Sequence, residues 1–346
     1  MHSNLTPVAP ASVARFPQHR VARAWLAAAA VIASTLTMSA AARVPTVHLT
    51  RGENRVTVKV EGKPFTEFVY GADVPRSFLY PLLAPDGTRL TRDYPMADTP
   101  GEEQDHPHHR SLWFAHGSVG GVDFWAEKAD TGKVILTSLD EASSGEVGVI
   151  RARHRWESAE KKLVATDEVT IRIQAVPQGR LLDYEITLHA LKDAPLVFGD
   201  TKEGTMAVRV PLWMTLTHKF KGKQVPGQGK LVTSTGDENT AVWGKRAPWA
   251  DYSAPHNGKV YGIAIFDHPK NPRHPTWWHA RDYGLFAANP FGRHDFEGLK
   301  DQPHIGDLTV PAGQSVTFRY RLYIHEGDTA SAGVAERYRT YAQSAK

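Results

Sequence analysis

The chain of 346 residues contains no cysteine. Disulfides, thiolate metal sites and cysteine nucleophiles are excluded, and any metal would take nitrogen and oxygen ligands, a rare methionine sulfur apart. Helical periodicity is scarce, and no zincin, P-loop, dinucleotide-binding or nucleophile-elbow motif occurs. No run of Lys or Arg is present, which argues against a nucleic-acid partner. After residue 42 no apolar stretch approaches the ~20 residues that span a bilayer, which argues against stable membrane insertion of the mature chain.

The first 42 residues lack acidic side chains. Arg15, Arg20 and Arg23 form a basic n-region, Ala24 to Met38 an apolar run, and Ala40 and Ala42 a small-x-small cleavage site before Arg43. This is the pattern of a secretory signal peptide. The expectation is a signal over 1–42, a single mature domain over 43–346, and a periplasmic or secreted location. The formal charge of +4 falls to +1 once the three leader arginines are gone, so a pI of 9.1 says little about partners.

What the chain has in plenty is strand. Val56, Val58 and Val60 alternate with polar residues, as do Leu182, Tyr184, Ile186 and Leu188, and Val316, Phe318, Tyr320, Leu322 and Ile324. Period-2 alternation of this length predicts half-buried antiparallel strands. Further strands are expected at 65–70, 133–139, 147–155, 206–215, 259–266, 283–288 and 305–310, and a hairpin from 163–176 and 180–191. Only the tail, Thr329 to Ala342, reads as helix, capped by Asp328 or Thr329. Segments 86–105, 221–258 and 267–280 are predicted as long loops. The fold class is therefore all-β: one large antiparallel β-sandwich with a short C-terminal helix. In size and strand content it is similar to the galactose-mutarotase-type supersandwich, whose carbohydrate-active members pair His with Glu.

Two segments carry the chemistry. Asp105 to Trp125 holds four histidines, two aspartates, an arginine, two tryptophans and two phenylalanines in 21 residues. Phe266 to Phe291 repeats that vocabulary, with Asp267, His268, His274, Trp277, Trp278, His279, Arg281 and Asp282. Imidazoles and carboxylates move protons or bind metals near neutral pH, and aromatic rings desolvate them or stack on a ligand. The two segments are expected to meet at one site. Asp105 is placed to serve as a metal ligand or as the partner that fixes an imidazole tautomer. Glu203, in Gly199 to Gly204, is a candidate base.

The strings DHPHHRSLWFAHG, GVDFW, GDTKEG, IAIFDHPKNPRHPTWWHARDYGLFAANPFG and IHEGD resemble the bacterial family labelled "PmoA family protein", otherwise a domain of unknown function, over roughly residues 45–335. That label names a subunit of a membrane-embedded methane monooxygenase, whereas this chain has no apolar run for a span after residue 42. The resemblance implies an exported protein of polysaccharide-degrading bacteria, and hence carbohydrate chemistry. It supplies no catalytic residues.

Three readings follow. In the first, a carbohydrate-active enzyme epimerises, eliminates or hydrolyses a small-molecule or oligosaccharide ligand. His108 or His109 is the acid, and Glu203 or Asp267 the base. Arg110 and Arg281 hold an anionic or oxyanion group, and Trp113, Trp125, Trp277 and Trp278 stack on a pyranose. In the second, His106, His108, His268 or His279 with an aspartate binds Zn, Fe or Cu in a metal-dependent hydrolase or oxygenase. In the third, the chain is a non-catalytic glycan-binding module.

Overall fold

Alternating side chains build two eight-stranded sheets. The computed structural model describes residues 46–343, so the leader expected at 1–42 lies outside the described residues. The first sheet comprises β1 (Val47–Arg51), β2 (Arg55–Val60), β3 (Lys63–Val69), β4 (Phe78–Tyr80), β5 (Leu112–His116), β11 (Gly204–Arg209), β18 (Leu285–Asn289) and β17 (Trp277–Ala280), in that spatial order. The second comprises β14 (Lys230–Thr233), β15 (Trp249–His256), β16 (Lys259–Asp267), β20 (Ser315–Glu326), β9 (Gly179–His189), β8 (Leu163–Val176), β7 (Val147–Glu157) and β6 (Lys133–Ser143). Two short antiparallel pairs complete the strands: β10 (Leu196–Phe198) with β19 (Leu308–Val310), and the hairpin of β12 (Thr217–Phe220) with β13 (Lys223–Pro226). The predicted hairpin is β8 and β9, paired from Val176–Gly179 outward.

The sheets face each other across one core. Leu112 and Phe114 of β5, Met206 and Val208 of β11, and Phe286 of β18 meet Tyr184 and Ile186 of β9 and Phe318 of β20. The Phe114 ring lies 6.3 Å from that of Tyr184 and 6.0 Å from that of Phe318. Each fully buried large apolar side chain contributes about 1.5–3 kcal/mol relative to exposure. His154 sits at the core's edge without cost, because its neighbours satisfy it. Ser77 Oγ is 3.0 Å from Nε2, Asp167 Oδ1 is 2.7 Å from Nδ1, and Trp156 Nε1 donates to Asp167 Oδ2 at 2.6 Å.

Four predicted boundaries shift. The loop expected at 221–258 contains β14 and β15, and that at 267–280 ends in β17. The first six residues of β15 and all four of β17 are buried, so neither shows a polar/apolar alternation. The strand expected at 206–215 ends at Arg209, and a 3-10 turn follows at Leu212–Met214. The tail helix α2 (Val334–Gln343) starts at Val334, not 329, because Gly333 has φ 66°. Thr329 donates its hydroxyl to Asp251 instead of capping, and Asp328 Oδ1 accepts from Ser331 N at 2.8 Å. A one-turn helix, α1 (Arg293–Phe296), follows β18. Among the described residues no helix is long and apolar enough to cross a membrane.

Candidate functional site

The face of the first sheet turned away from the core carries the site. In register across five strands, Phe78 faces Trp113, Trp113 faces Ala207, Ala207 faces Ala287, and Ala287 faces His279. Directly paired residues share a face, and strands lie ~4.8 Å apart, so Trp113 and His279 stand about 14 Å apart with two alanines between them. Those small side chains make room for other segments to settle on the sheet. Trp125 and Tyr283 pack there with Phe78, Trp113, Ala115, Ala207, Leu285 and Ala287 in a second apolar cluster.

The segment 105–110 is pinned by buried arginines. Arg92 and Arg209, 3% and 2% exposed in their side chains, both donate to Asp105 Oδ1. Asp105 Oδ2 lies 2.6 Å from His106 Nδ1. Burial raises the Asp105 carboxyl, but the His106 hydrogen bond and the Arg209 and Arg92 charges outweigh it and hold the carboxyl well below the usual range. Arg92 also donates to the His106 carbonyl at 2.9 Å. These bonds hold His106 at φ 43° and the site continues to Ser111 at φ 59°, two left-handed positions for residues that bear a Cβ. His106 remains 41% exposed in its side chain, and among the described residues nothing engages its Nε2.

His108 and His109 are different. His109 is buried, its ring 5.3 Å from Trp113 and 4.7 Å from His106. Arg209 Nη1 donates to His109 Nδ1 at 3.1 Å, which puts the proton of the neutral ring on Nε2. Burial first, then Arg209, pushes His109 well below its ordinary pKa. Burial and then Arg76 push His108 down to about 4. Arg110, expected to bind an anion, has its fork closed on Glu127 at 2.7 and 2.8 Å, and Glu127 also accepts from buried Arg76.

From the other side come Arg281 and Tyr283, on the turn between β17 and β18. Arg281 N donates to Leu285 O at 2.7 Å and Gly284 N to Arg281 O at 3.1 Å. Gly284 has φ 99°, and a Cβ there would lie 2.9 Å from Val210 Cγ2, so the turn requires glycine. The Tyr283 ring stacks on His106 at 5.2 Å, with the Arg209 and Arg281 guanidinium carbons 4.6 and 5.6 Å from its centroid. Burial raises the Tyr283 phenol; Arg209 and Arg281 oppose this, while Glu203 reinforces it. Glu203 is half-buried and paired with Lys202 at 3.0 Å. Buried His279 is pushed to about 3 by burial, then by Arg281 and Lys202, with His106 also acting on it. The arrangement thus joins 105–125 to the part of 266–291 that lies at 279–283, and adds Glu203.

The remaining candidates lie elsewhere. Asp267 and His268 end β16 on the second sheet, packed against α2. Asp267 accepts from Asn271 Nδ2, Thr276 N and His274 Nδ1 at 2.7–2.9 Å, so its lone pairs serve the loop. Trp278 is core and donates to the Ala247 carbonyl, and Trp277 lies under Arg246. Trp113, Trp125, Trp277 and Trp278 are all buried and present no open ring face, which corrects their expected role as stacking platforms. The four histidines of the metal reading are not gathered, and among the described residues no three His, Asp or Glu side chains are arranged to hold an ion. The sequence reading missed Arg92, Arg209 and Tyr283. The lone Arg209 in the apolar run Met206 to Val210 was the available signal, since an unpaired charge is not buried in a strand.

Depressed imidazoles predict an acid-sensitive fold. Burial holds His116, bonded to the Gly199 carbonyl at 2.7 Å, at about 4, alongside His108 near 4 and His279 near 3. The unfolded chain binds these protons near 6.5 and the folded chain does not, so stability falls as pH drops below about 6.5 and levels off near 3–4. His116 alone removes on the order of 3 kcal/mol by the end of that range. Urea midpoints measured from pH 7.5 to 4.5 should fall steadily, and a flat or rising series would contradict these environments.

Comparison with known proteins adds the following. A sequence model of a family of unknown function, DUF6807, matches residues 55–339. No curated protein matches the sequence. Among solved structures, the α-galactosidase from Lactobacillus brevis is 8% identical, with 82% of this chain and 39% of that chain covered and a TM-score of 0.36. A galactose mutarotase-like protein from Lactobacillus casei is 10% identical, with 81% and 100% covered and a TM-score of 0.35. The 4-α-glucanotransferase from Thermococcus litoralis is 9% identical, with 80% and 39% covered and a TM-score of 0.29. The chain spans about two fifths of the length of the α-galactosidase and the glucanotransferase. None of these matches carries the methane-oxygenase label.

Proposed function

We propose that this chain, which belongs to the DUF6807 family of unknown function, is an exported carbohydrate-active enzyme that moves a proton at a sugar carbon or oxygen. The observation that carries this reading is the Asp105–His106 pair. Asp105 Oδ2, 2.6 Å from Nδ1, selects the tautomer protonated there. The lone pair of Nε2 then faces outward as a general base, on a ring braced by Tyr283. Around it the half-buried Glu203, Lys202 and Arg281 offer donors and acceptors of both signs, as a polyhydroxylated ring requires.

The assignment of roles differs from the one read off the sequence. His108 and His109 are held neutral, which makes them poor acids near pH 7. They fit as neutral walls, with His109 also orienting Arg209. The raised phenol of Tyr283 stays protonated and serves as the acid, with Glu203 beside it. Asp267 has no part in this site. Export rests on the leader pattern of residues 1–42.

Nuclear magnetic resonance in D2O tests the reading across a panel of glycosides and oligosaccharides. Elimination gives olefinic signals, epimerisation puts deuterium on a ring carbon, and hydrolysis gives a new reducing end. Binding without any of the three would make the protein a glycan-binding module, and no binding at all would remove the sugar from the proposal.

A further inference from the structure

The cations around the site divide into paired and unpaired. Arg76 and Arg110 share Glu127, Arg92 and Arg209 share Asp105, and Lys202 pairs with Glu203. Arg281 has no such partner. Among the described residues its guanidinium meets neither a carboxylate nor a hydrogen-bond acceptor, and its recorded contact is the ring of Tyr283 at 5.6 Å. It is half-buried, and the turn that carries it is fixed at both ends by backbone hydrogen bonds. The turn is anchored further by Asp282, whose carbonyl accepts from Leu216 N and Thr217 N at 3.0 and 3.1 Å, and whose carboxylate accepts from the Thr217 hydroxyl at 2.9 Å. Asp282 is therefore occupied away from Arg281.

Other buried donors in the same outer cluster also lack acceptors. Trp113 Nε1 and Trp125 Nε1 are buried and without a partner. Both indoles are too buried to reach a ligand, so the unmet cation that a ligand can reach is Arg281. Glu203 and Asp105 nearby disfavour a group of charge −2, whereas a single unpaired guanidinium matches one carboxylate in the two-pronged geometry arginine favours.

We infer that the ligand of this site is a sugar acid, a hexuronate or a hexuronate-bearing oligosaccharide, with its carboxylate on Arg281. This rests on the acid–base sugar reading and names its substrate class. The carboxylate would lie beside Tyr283, the ring that also stacks on His106, so the anion would be bound next to the base.

Calorimetric titration of the purified protein with glucuronate-, galacturonate- and mannuronate-ended oligosaccharides, and with the methyl ester of each, provides the test. The ester keeps the shape and removes the charge. At least one acid should bind about tenfold or more tighter than its ester, as expected for a charge-assisted hydrogen bond. Arg281→Gln should bring the acid down to about the affinity of the ester and cost the ester far less than it costs the acid, while Arg281→Lys should recover part of the preference. Esters that bind as well as their acids, or an acid preference that survives Arg281→Gln, overturn the inference. The comparison on the unaltered protein stands even where a variant fails to fold. Neutral glycosides turned over with no binding of any acid would sink the sugar-acid inference and leave the acid–base reading intact. Neither acids nor neutral glycosides binding would sink both.

Discussion

His106→Asn should lower turnover of a sugar substrate by about 10²- to 10⁴-fold, the usual contribution of a positioned general base. Asparagine is chosen because it tolerates the left-handed backbone at φ 43° and its amide can still donate to Asp105. What it lacks is a second ring nitrogen, so the outward lone pair is deleted and little else. Because the His106 side chain is 41% exposed, no core cavity opens, and stability should change by less than about 1 kcal/mol. Turnover within a factor of three of wild type would remove His106 as the base. A large fall in melting temperature would instead mean that this ring is a structural strut between His109 and Tyr283.

Asp105→Ala should destabilise the protein by about 3–5 kcal/mol, the cost of leaving a buried ion pair without one partner. Two guanidiniums depend on this carboxylate, and both are almost wholly buried. Burial already pulls Arg92 down to about 10, so the charge is strained even when paired. A loss of that size is a large part of the 5–15 kcal/mol that holds most domains folded. Asp105→Asn should cost less, since its oxygen still accepts from an arginine. Denaturant titration checks both, and a loss below about 1 kcal/mol for Asp105→Ala would show that Arg92 and Arg209 find other partners. The pH profile separates this pair from the histidines. The depressed Asp105 carboxyl contributes stability that is fully present above about pH 4 and is lost only below it. Between pH 5 and 7 the loss therefore belongs to the buried imidazoles.

The strands were legible wherever one face is wet. Leu182 to Leu188 and Val316 to Ile324 alternate because one side meets the core and the other meets water, polar residues or α2. The same logic hid β15 and β17, since strands buried on both faces have no period to show. His106, His108 and His109 drew notice through crowding alone. Their division into an open base, a half-buried wall and a buried, stacked ring depends on Arg209, a hundred residues along the chain, and on how Arg92 and Trp113 fold back on them. In the same way Asp267 and Glu203 look alike as carboxylates. Only packing commits the first to Asn271, His274 and Thr276 and leaves the second half-open beside Tyr283.

By itself the sequence determined an all-β chain without thiol chemistry and the two segments in which its imidazoles and tryptophans concentrate. Those properties are local: a residue type is either present or absent, and period-2 burial is written along one strand. Tertiary structure decided which carboxylate reaches which imidazole, that among the described residues Arg281 meets no carboxylate, and that the tryptophans are walls and not platforms. Those properties depend on register between strands distant in sequence. The row Phe78, Trp113, Ala207, Ala287, His279 joins five strands that no spacing along the chain connects. The charge state of an imidazole follows from what lies across that row, because burial and neighbouring guanidiniums set it and neither is encoded next to the histidine itself.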